Sequence, residues 1–342
     1  MASAFELEEV VVVWKGAKCL VTGGAGLIGS HLVKRLVKEG AIVTVVDNCS
    51  SGDERNLERV IGSIRFIKAD LRDKEVAFKV TRNQDYVFHL AANMGGIGYI
   101  TKVGADIMRD NLLMNIYMLE ASVANKVKRF FYSSSACVYP IERQTTPNVV
   151  PLKEDDAIPA NPNEFYGWEK LVTEKMCEAY NRDYGLDVRI ARFHNIFGEA
   201  YNAFDPERGK APAHLIRKAI LYPKERFVIW GDGKQTRSFL YVEDCVEGVL
   251  RLMESDYTKP INIGSDRLVT IEELAKIIIE ISGKDIKIEY DLTKPQGVRG
   301  RNADLTLAKK VLGWYPRISL EEGIRRTYCW AKERYEKGEL KL

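Results

Sequence analysis

At 342 residues the chain has enough material for one large domain or two linked ones with a sizeable buried core. Hydrophobic residues make up 46% and charged residues 29%, as in ordinary globular enzymes, and a formal net charge of +3 argues against a nucleic-acid or membrane-surface role. No apolar run approaches the roughly 18 to 20 residues of a membrane span, and residues 1–16 lack the basic start and apolar stretch of a signal peptide, so cytoplasmic residence is expected.

Residues 18–22 read as a short buried strand that runs into Gly23-Gly-Ala-Gly26-Leu-Ile-Gly29. A helix follows over 27–39, closed by Gly40. Strands are expected at 41–46, ending at Asp47, at 64–67, ending near Asp70, and at 86–90. A helix over 106–125 precedes a fifth strand at 129–133, and a helix over 165–184 precedes another strand at 187–192. This alternation predicts an α/β fold, a Rossmann-type doubly wound parallel sheet with crossover helices. Its strand ends at Gly23, Asp47, Asp70, Ala91, Ser133 and Arg192 share the edge where such sheets bind ligands.

Beyond Asn195 the pattern turns irregular through Lys210, and short helices and strands follow. The expectation is a smaller mixed α/β C-terminal substrate domain. Residues 1–194 would form the Rossmann-type domain, receiving roughly 239–264 as well, where Val242-Glu-Asp244 opens a helix; residues 195–342 would mainly bind substrate.

The glycines at 23, 26 and 29 allow a tight turn and close approach of a pyrophosphate to helix-end N–H groups. Asp47 ends the next strand about twenty residues on, where a carboxylate takes ribose hydroxyls and disfavours a 2′-phosphate, so NAD is preferred to NADP. Asp70 can meet the adenine edge, and the same spacing equally suits a capping carboxylate. Tyr166-Gly-Trp-Glu-Lys170 puts a phenol and an ammonium on one helical face, where the cation favours phenolate and a base near neutral pH. The cofactor set is Gly23, Gly26, Leu27, Ile28, Gly29, Asp47, Asp70 and Leu90, with Tyr166 and Lys170. Ser133-Ser-Ser135 can supply a hydroxyl to the same substrate oxygen, and two residues later stands the thiol of Cys137, which a simple alcohol oxidation does not need. The cysteines at 19, 49, 137, 177, 245 and 329 and the histidines at 31, 89, 194 and 214 have neither zinc nor disulfide spacing; no metal is expected.

The glycine triplet, Asp47, His89-Leu-Ala-Ala92, the serine strand and Tyr-x-x-x-Lys together resemble the extended short-chain dehydrogenase/reductase family of nucleotide-sugar epimerases, dehydratases and reductases. The resemblance runs through Gly313-Trp-Tyr-Pro316. Within it, Met94-Gly-Gly-Ile-Gly98, Ser135-Ala-Cys137, Lys210-Ala-Pro212, Gly231-Asp-Gly-Lys-Gln-Thr-Arg-Ser238 and Gly297-Val-Arg-Gly-Arg301 are similar to the GDP-mannose 3,5-epimerases. That similarity implies catalysis by Tyr166, Lys170, Ser135, Cys137 and Lys210. Tyr166 would take the proton of the sugar 4-hydroxyl as C4 is oxidised, and the ketone would acidify the hydrogens on C3 and C5. Cys137 and Lys210 would remove and deliver protons on opposite ring faces. It also implies substrate contacts at Gly95, Ser135, Ala136, Cys137, Asn195, Lys210, Ala211, Lys218, Gln235, Thr236, Arg237 and Arg301, the basic ones suited to a diphosphate. Gly209 departs from the family pattern, which has a Glu immediately before the lysine.

The helix over 106–125 has Met108, Leu112, Leu113, Ile116, Met118, Leu119 and Val123 around too much of its circumference for one buried face. The resemblance implies a homodimer through a four-helix bundle; a helix enclosed by its own chain is the alternative. Competing functions are a nucleotide-sugar 4-epimerase, in which Cys137 is incidental, and a non-catalytic NAD-binding sensor. A 4,6-dehydratase fits less well, since that class resembles Thr-Asp-Glu where Ser135-Ala-Cys137 stands.

Overall fold

A computed structural model describes residues 14–342; the reading of the N-terminal segment as no signal peptide therefore falls, for residues 1–13, outside the described residues. The first half alternates as the sequence predicts, with β1 Lys18–Thr22, α1 Leu27–Lys38, β2 Ile42–Asp47, β3 Ile64–Lys68, α2 Lys74–Val80 and β4 Tyr86–His89. A single turn α3 Ile97–Ile100, the long α4 Gly104–Ala124, β5 Arg129–Ser135, α5 Phe165–Tyr184 and β6 Val188–Phe193 follow. Helix α2 was not anticipated; its seven residues are too few to display a helical period, and Asp73 caps it by accepting from the Glu75 N–H.

A seven-stranded sheet runs in the order Pro260–Ile263, β6, β5, β4, β1, β2, β3, every neighbouring pair parallel. Both faces are covered, so strands alternate between two cores rather than between core and water. Cys19 and Val21 of β1 join a core with α1 residues Leu32, Val33 and Leu36, whereas Leu20 joins Met114 and Met118 of α4 on the other side. β5 divides likewise, Phe131 to the first core and Phe130 and Tyr132 to the second. The strand order reverses between β1 and β4, opening the crevice above their C-terminal ends.

β5 continues two residues past the expected end, pairing Ser134 with Arg192 and Ser135 with Phe193. A serine run can stay in a central strand because its buried hydroxyls are satisfied: Ser133 donates to His89 O at 3.0 Å and Ser134 to Glu174 Oε1 at 2.5 Å. In the C-terminal part the helices are longer than expected. Ile271–Ser282 starts on a Thr270/Glu273 capping box and ends at left-handed Gly283. Leu320–Glu336 buries Leu320, Ile324, Tyr328 and Ala331, one helical stripe among many charges. A three-stranded sheet of Leu268–Thr270, Thr236–Ser238 and Gly300–Arg301 faces the main sheet's ligand edge. The segment after β5 is stitched to it by Arg299 N–H to Gln144 O and Leu152 N–H to Asn302 O. Among the described residues no helix is long and apolar enough to cross a membrane.

Candidate active site

Two adjoining cavities, about 440 and 550 Å³, lie over the sheet's ligand edge. The first is floored by the turn between β1 and α1. Gly23 has φ +66°, and a Cβ there would stand 2.8 Å from the Ala91 amide nitrogen; a Cβ at Gly29 would stand 2.2 Å from Gly23 O. Both positions demand glycine, which brings the turn against β4 and α1 against the turn. The first turn of α1 holds no acidic residue and its Gly26 cap has no side chain, so its N–H groups face the cavity uncontested. Asp47 closes the far side, accepting from Ala25 N–H at 3.0 Å and Cys49 N–H at 2.8 Å. Burial pushes its carboxyl up against those two bonds. A glycine cradle, free helix-end N–H groups and a fixed carboxylate fit a dinucleotide without a 2′-phosphate.

Behind the cradle a buried polar chain crosses to α5. Thr22 Oγ1 accepts from the Leu90 and Ala91 N–H groups and meets His89 Nδ1 at 2.8 Å. His89 Nε2 meets Asn115 Oδ1 at 2.9 Å, while Asn115 Nδ2 donates to Glu169 and Thr173. Since the Asn115 oxygen can only accept, the imidazole proton is assigned to Nε2 and Nδ1 receives the Thr22 hydroxyl. Burial holds His89 neutral, pushed down to about 4. Asn111 completes the set by donating to Glu169 Oε1 at 2.7 Å.

The second cavity adjoins the first along Ser135, Tyr166, Asn195 and Lys210, which line both. Tyr166 and Lys170 sit on the inward face of α5. Lys170 is 1% exposed, with Nζ 3.7 Å from Glu169 Oε1, 4.9 Å from the Tyr132 ring centroid and 5.5 Å from that of Tyr166. Burial first, then the charges of Glu169 and Cys137, push the Tyr166 phenol well up, and the Ser135 hydroxyl only partly offsets them. The lowering expected from Lys170 is thus outweighed, because the phenol is desolvated and the ammonium already has a carboxylate neighbour. Cys137 lies in the turn Ala136–Val138, its N–H on Ser135 Oγ at 3.2 Å. Burial works to raise its thiol, but the Arg301 guanidinium, the Ser135 hydroxyl and the Lys210 ammonium outweigh it, and the thiol ends below its ordinary range. Lys210 caps the helix α6 Ala211–Leu221; crowding by protein draws its ammonium down although cavity solvent still reaches it.

Of the sequence-predicted cofactor residues, Gly23, Gly26, Leu27, Ile28, Gly29, Asp47, Leu90, Tyr166 and Lys170 line the first cavity. Asp70 does not: Arg72 and Asn48 engage its carboxylate, and Arg72 takes its place on the wall. Gly95, Ser135, Ala136, Cys137, Asn195, Lys210, Ala211, Lys218, Gln235, Arg237 and Arg301 line the second. Thr236 does not, its hydroxyl being spent on Pro147 O at 2.5 Å. At Gly209 a Cβ would stand 2.7 Å from Asp205 O and 3.0 Å from Ala203 O, so a glutamate there requires the turn ahead of Lys210 to shift. Sequence reasoning missed Glu169, Gln144 and Trp230. Only the last had a local signal, an exposed aromatic beside Gly231-Asp-Gly233.

The model of the NAD-dependent epimerase/dehydratase family matches residues 19–264. GDP-mannose 3,5-epimerase of Arabidopsis thaliana is 46% identical over 324 residues, 95% of this chain and 84% of that one. UDP-glucuronic acid decarboxylase 1 of Xenopus tropicalis is 32% identical over 323 residues, 93% of this chain and 73% of that one. Among solved structures, UDP-glucose 4-epimerase of Thermotoga maritima with UDP-glucose superposes with a TM-score of 0.84 at 33% identity, covering 93% of this chain and 99% of that one. A dTDP-glucose 4,6-dehydratase of Streptomyces venezuelae with NAD bound gives 0.81 at 25% identity, covering 94% and 98%. A glycine cradle suited to a dinucleotide's phosphates, beside a buried Tyr–Lys pair, accords with these likenesses: the chain belongs to the NAD-dependent epimerase/dehydratase family and is an enzyme whose cofactor is NAD.

Proposed function

We propose that this enzyme acts on a nucleotide-diphosphate sugar, GDP-mannose, and inverts it at C3 and C5. The observation that carries the reading is the meeting of a thiol and an ammonium, Cys137 and Lys210, on one cavity that also holds Tyr166 and Ser135. Their titrations are drawn toward neutrality, the thiol downward by Arg301 against burial and the ammonium downward by crowding. A thiol and an ammonium that both lose protons more readily than usual suit proton removal at one ring face and delivery at the other. The 46% identity to the Arabidopsis thaliana GDP-mannose 3,5-epimerase supports the same substrate.

Bound in its oxidised form, NAD supplies a hydride acceptor for the sugar C4 and a positive charge that favours ionisation of Tyr166. Gly23, Gly26 and Gly29 with the α1 N–H groups would hold its phosphates, and Asp47 its ribose. Tyr166 moves the proton of the 4-hydroxyl, Ser135 holds that oxygen, and Lys170 steadies the phenol. With C4 a ketone, Cys137 as thiolate takes a proton from the neighbouring carbon and Lys210 as ammonium returns one from the other side. Lys218, Gln235, Arg237 and Arg301 line the same cavity, where they suit the diphosphate and base.

Incubation with GDP-mannose in deuterated water is expected to place deuterium at both C3 and C5. Cys137→Ala should abolish that exchange while C4 oxidation survives. No exchange in the wild type would overturn the reading. Inversion of a UDP-hexose at C4 instead would favour the 4-epimerase alternative, which the likeness to the Thermotoga maritima enzyme keeps in view.

The enzyme is further read as a homodimer. Phe165, Trp168 and Val172 form an outward stripe on α5, 60%, 36% and 41% exposed, and Met108, Leu112, Leu113, Ile116 and Val123 of α4 are only half-buried. Met118 and Leu119, by contrast, are spent on the chain's own core. Sedimentation as a monomer at micromolar concentration would rule this out. Cytoplasmic residence accords with the six free cysteines among the described residues.

A further inference from the structure

Arg301 touches the sulfur of Cys137, and a residue outside the proposed substrate contacts holds it there. Its Nη1 donates to Cys137 Sγ at 3.3 Å, and its Nε donates to Gln144 Oε1 at 2.6 Å. Gln144 is fully buried and every polar group of its amide is used, Nε2 donating to Tyr139 O at 3.0 Å and to Pro140 O at 3.2 Å. Its backbone oxygen also accepts from Arg299 N–H at 2.9 Å, so the residue grips the Gly300–Arg301 strand twice. Arg301 itself is 9% exposed. A guanidinium is a planar fork, and fixing Nε on the Gln144 amide oxygen restricts where the Nη1 edge points.

We propose that Gln144 is a positioning residue, which clamps Arg301 against Cys137 so that the guanidinium stabilises the thiolate. The proposal rests on the reading of Cys137 as the group that takes the ring proton. The other charged or titratable groups around the sulfur are Lys210 at the start of α6, Tyr166 on α5 and Arg237 on the strand Thr236–Ser238. None of the three has a hydrogen bond to it, whereas Arg301 does. Arg237 is tied down on Thr236 O and Val298 O, which leaves Arg301 as the cation the sulfur meets directly.

The test measures the thiol itself, without sugar. The NAD-loaded enzyme is alkylated with iodoacetamide across a pH series, and the rate at the Cys137 peptide is followed by mass spectrometry; the thiolate is the reacting form, so the rate midpoint reports its ionisation. Arg301→Gln is expected to raise the midpoint, and Gln144→Met, which keeps chain length and loses both amide groups, to raise it by about one unit. Below both midpoints the alkylation rate then falls about tenfold. Gln144→Glu keeps an acceptor for Arg301 but adds a charge that competes for the guanidinium, and is expected to raise the midpoint too. A wild-type midpoint in folded Gln144→Met or Gln144→Glu would overturn the proposal, as would one in Arg301→Gln whether or not the Gln144 variants fold. Because no sugar is present, this result is independent of deuterium exchange from GDP-mannose. Failure of exchange with an Arg301-dependent midpoint counts against the substrate reading, not against the clamp.

Discussion

Gly167 follows the tyrosine of the Tyr-x-x-x-Lys sequence, and its missing side chain lets the thiol turn pack onto α5. A Cβ there would lie 2.1 Å from Cys137 O and 2.8 Å from Pro162 Cβ, so an alanine must push the turn away. Helix propensity alone would favour alanine by about 1 kcal/mol. Overpacking a tight contact costs about 1–3 kcal/mol, enough to cancel the gain. Gly167→Ala is therefore expected to leave the melting temperature little changed or slightly lower. Turnover should fall about a hundredfold, the scale of loss when reacting groups shift by an ångström. Melting curves beside kcat on GDP-mannose check this; unchanged turnover would show that the turn need not touch the helix. At this scale the sequence was legible wherever chemistry repeats at fixed spacing, as in Gly23/Gly26/Gly29 and Tyr166/Lys170. Gln144 and Glu169 were not, since each matters through a partner far along the chain: 157 residues separate Gln144 from Arg301, and 54 separate Glu169 from Asn115.

Helix α5 serves several neighbours at once, and its register decides which side chain reaches each. Tyr166 and Lys170 face the cleft, Glu169 and Thr173 meet Asn115 of α4, and Phe165, Trp168 and Val172 point outward. One turn beyond Lys170, Glu174 accepts from Ser134 and takes two bonds from Arg192, at 2.9 Å from Nε and 2.7 Å from Nη2. That buried pair locks α5 to β5 and β6 immediately beneath Ser135. Removing one partner strands a charge away from water, which costs about 3–5 kcal/mol. Glu174→Ala should lose about that much in urea unfolding, and Glu174→Leu with Arg192→Met should recover a good part of it. A loss below about 1 kcal/mol would mean that water reaches Arg192. The same polar stitching explains why α4 looked apolar on every side in sequence. Its inward face holds Asp110, Asn111 and Asn115 among the buried positions, so polarity does not mark the solvent side.

At the scale of the molecule, the fold sets a cofactor cavity against a substrate cavity with Ser135, Tyr166 and Lys210 between them. The parallel sheet was legible because each strand and crossover lies in one short stretch of chain. The smaller layer was not, since its sheet joins Thr236–Ser238 to Gly300–Arg301, strands some sixty residues apart with two helices between. The pattern of neither strand alone reveals the pairing. The cavity walls come from both layers, the Met94–Gly98 loop and Cys137 from one side, Lys218, Trp230, Gln235 and Arg301 from the other. A sugar nucleotide that fits should therefore tie the layers together and raise the unfolding temperature beyond what NAD alone achieves. At a ligand concentration of a hundred times Kd the native state gains about 2.7 kcal/mol. For a chain larger than 250 residues that corresponds to a few degrees, since each kcal/mol is worth about 2 °C or less. NAD-loaded enzyme is expected to shift by that amount with GDP-mannose and by clearly less with UDP-glucose at equal concentration. The Trp230→Ala variant should narrow the gap if the ring contributes to base recognition, because an exposed indole offers a stacking face to any base and its loss removes about 1–3 kcal/mol. Equal shifts with both nucleotides in the wild type would count against GDP-mannose as the preferred sugar donor, and would leave the Cys137–Lys210 chemistry to be tried on a uridine substrate.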